Sequence, residues 1–324
     1  MQIPSELRAA LDASLEGVPR GPLTARAERI SSLYRDNTGS SIAIRDSTDA
    51  LAYAITRSPA TYGAVRNVLA HLQERSLSFA PQSALDLGSG AGASSWAIAE
   101  AFPQIASITQ ADQNQPLLTL SRNLAQHASS TALRSATQIS TDLTRNLPDS
   151  SADLVVLSYV LAELPPEQAQ SLFVAAWSLC SGALVLVEPG TPAGFGRILA
   201  ARYILGGSGG ALILAPCPHQ FGCPIFAPDW CHFAQRIERS RDHRLLKSAD
   251  RSYEDEKFSY LIAVREPYFT PAAAPRVLAR PEKDRAAIFL KLCQPSGTAS
   301  LVTIPRRDKE NYTRAKKKEW GDEI

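Results

Sequence analysis

A secretory signal and an apolar stretch long enough to span a membrane are missing from the pattern of this sequence. The first residues, Met1 to Arg8, contain no basic end followed by an apolar core, so they predict no secretory signal. The longest apolar stretch, Ile204 to Pro216, is interrupted by glycines and is shorter than the ~20 residues that span a bilayer. We therefore expect a cytoplasmic protein without a membrane partner, whose five cysteines are thiols or metal ligands and not disulfides.

A strong excess of charge is also absent, because 34 Lys and Arg oppose 32 Asp and Glu. The basic residues are nevertheless concentrated in the C-terminal run 305–318, which indicates a contact with a polyanion such as RNA. The alternative is a solvated helix or tail that binds no partner. A chain of 324 residues is also long enough for more than one structural unit.

The dinucleotide fingerprint G-x-G-x-x-G is missing as well, and a different glycine loop takes its place. Residues 84–96 read as a buried strand, a turn and a helix start, with glycines spaced G-x-G-x-G at Gly88, Gly90 and Gly92. Asp86 precedes the turn, where its charge would repel a pyrophosphate but would accept hydrogen bonds from an ammonium group. This arrangement favours S-adenosylmethionine, although a plain strand-to-helix turn would give the same pattern.

Carboxylates at the ends of the next strands extend this interpretation. Strands and helices alternate from Ala84 to about Glu188, which predicts an α/β fold whose ligand lies at the carboxyl ends of parallel strands. Asp112 ends the second strand, about 20 residues beyond the glycine turn, where it would bond ribose hydroxyls. Asp142 follows a weaker strand and would accept from the adenine amino group. Acids also occur in such loops for solubility alone.

The segments on either side of the glycine loop give two further expectations. Residues 4–79 place apolar side chains at helical spacing and predict an N-terminal helical unit, in which Ser58-Pro59 separates two helices. Beyond the strand of Asp153, the Asn/Asp-Pro-Pro-aromatic group that marks methylation of exocyclic amines is absent, since Ser158 to Leu161 occupy that place. No residue of the sequence is an evident catalytic base or nucleophile.

Paired C-x-x-C knuckles are missing too, but four cysteines still form a set. Three lie in one loop and the fourth lies far along the chain: Cys217, Cys223, Cys231 and Cys293. Such a set predicts a four-thiolate metal site. Cysteines followed directly by proline favour an iron–sulfur cluster modestly over zinc, and the nearby His219 and His232 keep mixed Cys/His zinc ligation open. Unligated thiols are the remaining alternative, and clustered in a loop they would be an oxidation liability.

Several short motifs occur together in this chain: Arg57–Tyr62, the loop 85–92, Val187–Thr191, the cysteine segment 217–231, and the closing Arg306–Lys309 and Trp320–Asp322. With them the sequence resembles the methyltransferase-like family of the mitochondrial small ribosomal subunit and its bacterial relatives. The resemblance implies a class I (Rossmann-like) methyltransferase fold, bound S-adenosylmethionine, a [4Fe–4S] cluster, and association with small-subunit ribosomal RNA during assembly. Carried over by position, the cluster ligands are Cys217, Cys223, Cys231 and Cys293.

These expectations divide the chain into a helical unit (1–80), an S-adenosylmethionine-binding methyltransferase core (81–205), and a cysteine-cluster unit with a basic tail (206–324). Two functional classes remain open, namely a ribosomal RNA methyltransferase and an assembly factor that keeps the cofactor pocket without turnover. A zinc-binding RNA methyltransferase is a further alternative. We expect no DNA partner.

Overall fold

The computed structural model describes residues 1–35, 39–207, 210–271 and 274–324. Its main sheet has eight strands: β1 Ser83–Leu87, β2 Ser107–Asp112, β3 Thr137–Ser140, β4 Ala152–Ser158, β5 Cys180–Pro189, β6 Leu212–Ala215, β7 Phe233–Glu238 and β8 Tyr253–Val264. The strand order is β3-β2-β1-β4-β5-β8-β6, with β7 also paired to β8. The pairs among β1 to β5 are parallel, whereas β8 runs antiparallel to β5, β6 and β7. This is a mostly parallel, Rossmann-like sheet, and the α/β fold expected from the sequence is confirmed.

The order of the strands decides where a ligand can bind. From β1 the chain proceeds to β2 and β3 on one side, and then returns to place β4 on the other side of β1. At such a switch point the loops beyond the carboxyl ends of the two central strands diverge and leave a crevice. The glycine loop follows β1 directly, so it lies at the edge of that crevice.

Both faces of the sheet are covered, which explains why its central strands are mostly apolar. Along β4, Leu154 and Val156 face one core, whereas Val155 and Leu157 face the other. The helices that follow β1 are α5 Ala93–Ala101, α6 Gln115–Ala125, α7 Thr131–Arg134, α8 Pro166–Ser178, α9 Pro192–Gly207 and α10 Arg241–Leu246, with a 3-10 turn at Leu161–Glu163.

In the described residues before the sheet, four helices are formed: α1 Ser5–Ser14, α2 Arg20–Arg35, α3 Ser40–Ala43 and α4 Ser47–Arg75. The predicted break at Ser58-Pro59 is wrong, because α4 runs through Pro59 without interruption. Proline removes one backbone donor in the helix. The helix nevertheless continues through this position, because α4 packs against α5 and against β7 and β8 of the sheet. Tertiary packing therefore outweighs the local preference for a break.

A small second sheet closes the chain, with strands β9 Arg276–Val277, β10 Glu282–Lys283, β11 Ala287–Cys293 and β12 Ala299–Pro305, followed by α11 Lys309–Lys316. Its strands are antiparallel and bury a core of their own that includes Ile288, Leu290 and Ala315. The division of the chain at residues 80 and 205 stays a prediction. Among the described helices none combines the length and the apolar character needed to cross a membrane.

Candidate cofactor cavity and cysteine cluster

The glycine loop is held in a conformation that side chains would disfavour. Gly90 has a φ of +51° and Gly92 has a φ of +84°. A Cβ on Gly92 would lie 2.3 Å from the Ser121 Oγ, so this glycine lets α5 pack tightly against α6. A Cβ on Gly90 would meet only Leu117 Cδ1, at 3.9 Å, and would otherwise point into open space. Gly92 therefore serves packing, whereas Gly90 keeps the edge of the crevice free.

A cavity of about 910 Å³ opens next to this loop. It brings together four of the six residues expected at the cofactor: Gly88, Gly90, Asp112 and Asp142. The other two, Asp86 and Gly92, are not among its described lining residues. A cavity of this size has room for a nucleoside-sized ligand together with a second group.

Asp86 lies behind the loop and has no exposed surface. Its Oδ2 accepts a hydrogen bond from the Ser95 hydroxyl at 2.7 Å, and its Oδ1 has no partner among the described residues. Burial raises the pKa of this carboxyl to about 7, because the hydrogen bond from Ser95 offsets only part of the desolvation. Asp86 therefore joins β1 to α5 and is not among the described residues that line the cavity.

Asp112 fixes the loop from the side of β2. Its Oδ2 accepts from the Gly90 N–H and its Oδ1 accepts from the Asn114 N–H, both at 2.8 Å. Burial raises the pKa of Asp112 against the effect of these backbone donors. Asp142 follows the neighbouring strand β3, accepts from the Thr144 hydroxyl at 2.7 Å, and has a pKa lowered by the hydrogen bonds from Thr144. The remaining lone pairs of Asp112 are in position for hydroxyl donors.

The roof of the cavity was not predicted from the sequence. This roof is the side of the cavity that α2, α3 and α4 form. Side chains from the part of the chain after β1 hold its segment 39–44 in place. Asn114 Nδ2 donates to the carbonyls of Ser40 at 3.1 Å and Ile44 at 3.0 Å, while Glu163 Oε2 accepts from the Ser40 N–H at 2.7 Å. Asn114 follows the predicted Asp112 by two residues, and that proximity was the only available signal.

The far wall of the cavity carries charged and aromatic groups. Tyr159, at the end of β4, has a φ of +62° and donates from its hydroxyl to Glu256 at 2.8 Å. The guanidinium of Arg57 lies 3.7 Å from the same carboxylate. Arg197 pairs with Glu188 at 2.6 Å, and burial raises the pKa of Glu188 to about 7 despite this pair. A residue other than glycine at positive φ stores strain, and such strain is common at functional sites.

The four predicted cysteines line a second, smaller cavity of about 30 Å³. Cys217, Cys223 and Cys231 come from the loop after β6, and Cys293 ends β11. The remaining lining residues are mostly apolar and include no carboxylate or imidazole: Phe195, Ile198, Leu199, Arg202, Pro216, Ile225, Phe233, Tyr260, Leu261 and Leu278. His219 approaches the cavity only indirectly, with its Nε2 3.4 Å from the Cys293 Sγ. The fold thus gathers the thiols that are far apart in sequence.

Burial and the neighbouring thiols raise the pKa of Cys293 to about 12 and that of Cys231 well above its usual value. Within the described ranges no group of three or more His, Cys, Asp or Glu side chains is arranged to hold a metal ion.

The fifth cysteine, Cys180, is buried in the core beneath α8, as expected for a packing residue.

Comparisons with known proteins identify the family. A family model described as mitochondrial small ribosomal subunit Rsm22 matches residues 47–324, which confirms the resemblance expected from the motifs. The human mitochondrial ribosome assembly protein METTL17 is 28% identical over 296 residues, covering 84% of this chain and 61% of that protein. The mitochondrial Rsm22-cox11 tandem protein 2 of Schizosaccharomyces pombe is 28% identical over 325 residues, covering 84% of this chain and 42% of that protein.

This chain therefore spans only about half of the length of these curated relatives. The expected cytoplasmic localisation is wrong, because the matched family and both relatives are mitochondrial. The absence of a signal at the start of the sequence had no bearing on this point.

Among solved structures, magnesium protoporphyrin IX methyltransferase from Synechocystis PCC 6803 with bound SAM is 18% identical, with a TM-score of 0.42, covering 72% of this chain and 90% of that one. An O-methyltransferase family protein from Burkholderia thailandensis is 15% identical, with a TM-score of 0.46, covering 75% of this chain and 72% of that one.

Proposed function

Because the chain belongs to the mitochondrial small ribosomal subunit Rsm22 family, we propose that it is a methyltransferase-like protein that binds S-adenosylmethionine and acts on or docks to small-subunit ribosomal RNA. The observation that carries the proposal is the meeting of Gly88, Gly90 and Asp112 on one large cavity at the switch point of the sheet.

The geometry of the loop suits a nucleoside with a cationic amino acid end. Asp112 offers lone pairs to ribose hydroxyls next to Gly90, and the open space at Gly90 admits the ligand. Asp142 is placed on the same cavity, where it would accept from the adenine amino group. Asp86 does not reach the cavity, so its role is to join β1 to α5 behind the loop through its hydrogen bond with Ser95.

A specific observation favours the non-catalytic variant of this function. At the end of β4, where a methyl acceptor would be positioned, the Tyr159 hydroxyl is engaged by Glu256 and Arg57 lies beside the same carboxylate. Val160 packs over Gly88, since a Cβ on that glycine would lie 2.7 Å from its side chain. These contacts pair the polar groups at the end of β4 with one another, while the cavity beside them stays open. An assembly factor that binds the cofactor without turnover is therefore the second candidate.

We propose that the cysteine cavity holds a structural [4Fe–4S] cluster or a zinc ion, on the ground of its donor chemistry, although the described side chains are not arranged around a metal. Its donors are four thiols, and soft sulfur donors select iron–sulfur clusters and zinc over harder ions. When bound, such a group supplies cross-links between the loop after β6 and the end of β11. Cys217, Cys223, Cys231 and Cys293 would hold it, and no ligand position would be left for a substrate.

Contact with ribosomal RNA would involve the basic residues at the end of the chain. Exposed basic side chains lie at the end of β12 and on α11: Arg306, Arg307, Arg314, Lys316 and Lys317, with Lys318 half-buried. Phosphate contacts from such residues position a protein on RNA without reading its sequence.

Titration calorimetry with S-adenosylmethionine tests the cofactor site. We expect the wild type to bind and Asp112→Ala to lose most of the affinity, whereas the exposed Asp149→Ala serves as a matched control and should bind normally. Equal affinity in all three proteins would refute the assignment.

A second experiment separates the two candidates by mapping methyl groups on small-subunit ribosomal RNA from cells with and without the protein. If the protein is an enzyme, its methyl mark disappears when the protein is removed. A non-catalytic assembly factor has no mark of its own to lose.

A further inference from the structure

Arg202, on α9, is a buried cation without a carboxylate partner among the described residues. The residue as a whole is only 5% exposed. Its Nε donates to the Cys217 Sγ at 3.3 Å, and its Nη2 donates to the carbonyl of His219 at 3.3 Å and to that of Phe221. The guanidinium thus contacts one cysteine sulfur directly and holds the backbone that follows it.

A comparison with Arg276 shows that this is unusual within the same region. Arg276 is also buried and donates to the carbonyls of Pro216 at 3.2 Å and Gly321 at 2.7 Å. It has a carboxylate partner, however, because the Oε1 of Glu323 lies 2.9 Å from its Nη2. Of the two arginines beside the cysteine loop, Arg202 alone has its charge directed at a sulfur.

Charge balance explains what Arg202 requires. A guanidinium stays protonated in proteins, and burying it without an anion is costly. Four thiolates carry four negative charges and a divalent metal centre returns two, so such a centre has a net charge of about −2. The cavity that Arg202 lines contains all four thiols, so a metal–thiolate centre there would provide the missing anion.

We propose that Arg202 is the positioning residue of this centre, which its Nε contacts through the Cys217 sulfur while its Nη2 fixes the loop at His219 and Phe221. The inference rests on the proposed metal site. It adds that the centre depends on α9, a helix whose Ala193 and Arg197 line the cofactor cavity and whose later residues line the cysteine cavity.

The hydrogen bond has a measurable consequence for an iron–sulfur centre. Donors to cluster sulfurs and nearby positive charge stabilise the reduced, more negative state and raise the reduction potential. Arg202→Met removes both, so the potential should become more negative and the metal should be lost faster. Arg202→Lys keeps the charge but lacks the planar fork that reaches a sulfur and two carbonyls at once. Its potential should lie between those of the wild type and Arg202→Met.

The test uses the full chain purified without oxygen, with iron, sulfide and zinc measured first. A matched control is Arg265→Met, which removes an arginine that donates to the carbonyls of Cys180 at 3.3 Å and Trp177 at 3.0 Å and contacts none of the four cysteines. We expect chelator-induced metal loss to be about tenfold faster or more in Arg202→Met, as for other groups that orient metal ligands, and unchanged in Arg265→Met.

The outcomes separate this inference from the proposal beneath it. A wild type that carries no metal refutes the metal site, and with it the role of Arg202. A metal-loaded wild type whose potential and rate of metal loss match those of Arg202→Met refutes the role of Arg202 alone. If the wild type contains zinc, the rate of zinc release is the readout. If Arg202→Met does not fold, Arg202→Lys decides: a potential and loss rate equal to the wild type in that variant contradict the inference.

Discussion

The cofactor cavity lies where parallel strands end, whereas the cysteine cavity is enclosed by a loop, one helix and the end of a remote strand. In the first, Gly88, Gly90 and Asp112 are placed by β1 and β2, whose registers are fixed by backbone pairing. In the second, Cys217, Cys223 and Cys231 belong to a loop with little regular structure. The first site is therefore shaped before any ligand binds, while the second would be held together by the proposed metal.

This difference predicts opposite responses to mutation. At the cofactor cavity the backbone supplies the geometry, so a substitution can abolish binding and leave the fold intact. At the cysteine cavity the proposed metal supplies much of the geometry, so removal of one ligand should destabilise the surrounding structure.

The largest effect is expected for Cys223→Ser. Loss of a thiolate should release the metal and detach the loop from β11, lowering the free energy of unfolding by about 4 kcal/mol or more. Hydrogen exchange should rise in residues 217–231 and 276–305 while β1 and β4 stay protected. Cys180→Ser is the matched control, since it makes the same chemical change at a buried cysteine outside the cavity and should leave the metal content unchanged. Retained metal in Cys223→Ser would contradict the four-thiolate site.

The next effect separates two glycines of one loop. Gly92→Ala should destabilise the protein by about 2–3 kcal/mol, because its Cβ would clash with the Ser121 Oγ and its φ is positive. Gly90→Ala should cost only about 1–2 kcal/mol of backbone strain but should weaken S-adenosylmethionine binding, because its methyl group enters the cavity.

Denaturant unfolding and calorimetry on both variants measure the two effects, with Gly196→Ala in α9 as the control because its Cβ would meet no atom within 4 Å. If Gly92→Ala and Gly90→Ala lost stability and affinity in equal measure, the assigned roles would be wrong.

From the sequence, the regular part of the molecule could be predicted, but much of the rest could not. The alternation after Ala84 and the acids Asp112 and Asp142 could be placed because strand ends of a parallel sheet converge. The continuity of α4 through Pro59 could not, since it depends on packing against α5 and the sheet. The roof contact of Asn114 with Ser40 and Ile44, and the contact of Arg202 with Cys217, join residues from separate segments, and a single sequence gives no distances of that kind.

A smaller effect concerns the pH dependence of stability, and it tests the buried Asp86 carboxyl that precedes the glycine loop. Burial raises the pKa of Asp86 to about 7, so between about pH 4 and 7 the folded state keeps a proton that the unfolded state has released. Stability should therefore fall as pH rises through that range, with a slope of at most about 1.4 kcal/mol per pH unit for this group.

Glu188, whose pKa burial also raises to about 7, contributes a decline of the same sign. Asp86→Asn should remove the part due to Asp86 and flatten the wild-type profile. Chemical unfolding at a series of pH values measures the difference, and parallel profiles for the two proteins would show that Asp86 does not titrate in this range.

The smallest effect is expected on the surface, where neither cavity is involved. Removing the whole C-terminal segment would confuse charge with stability, because Glu323 pairs with Arg75 at 2.8 Å and with Arg276 at 2.9 Å. Replacing Arg314, Lys316 and Lys317 of the α11 region by Gln removes exposed charge only. If these residues contact phosphates, the slope of log affinity for single-stranded ribosomal RNA against log salt should flatten by up to about 0.7 per residue. The exposed Arg122, Arg241 and Arg251 form a matched triple, whose replacement should leave the slope unchanged. Equal slopes for both triples would mean that α11 is a solvated surface, and that RNA, if it binds, contacts another face.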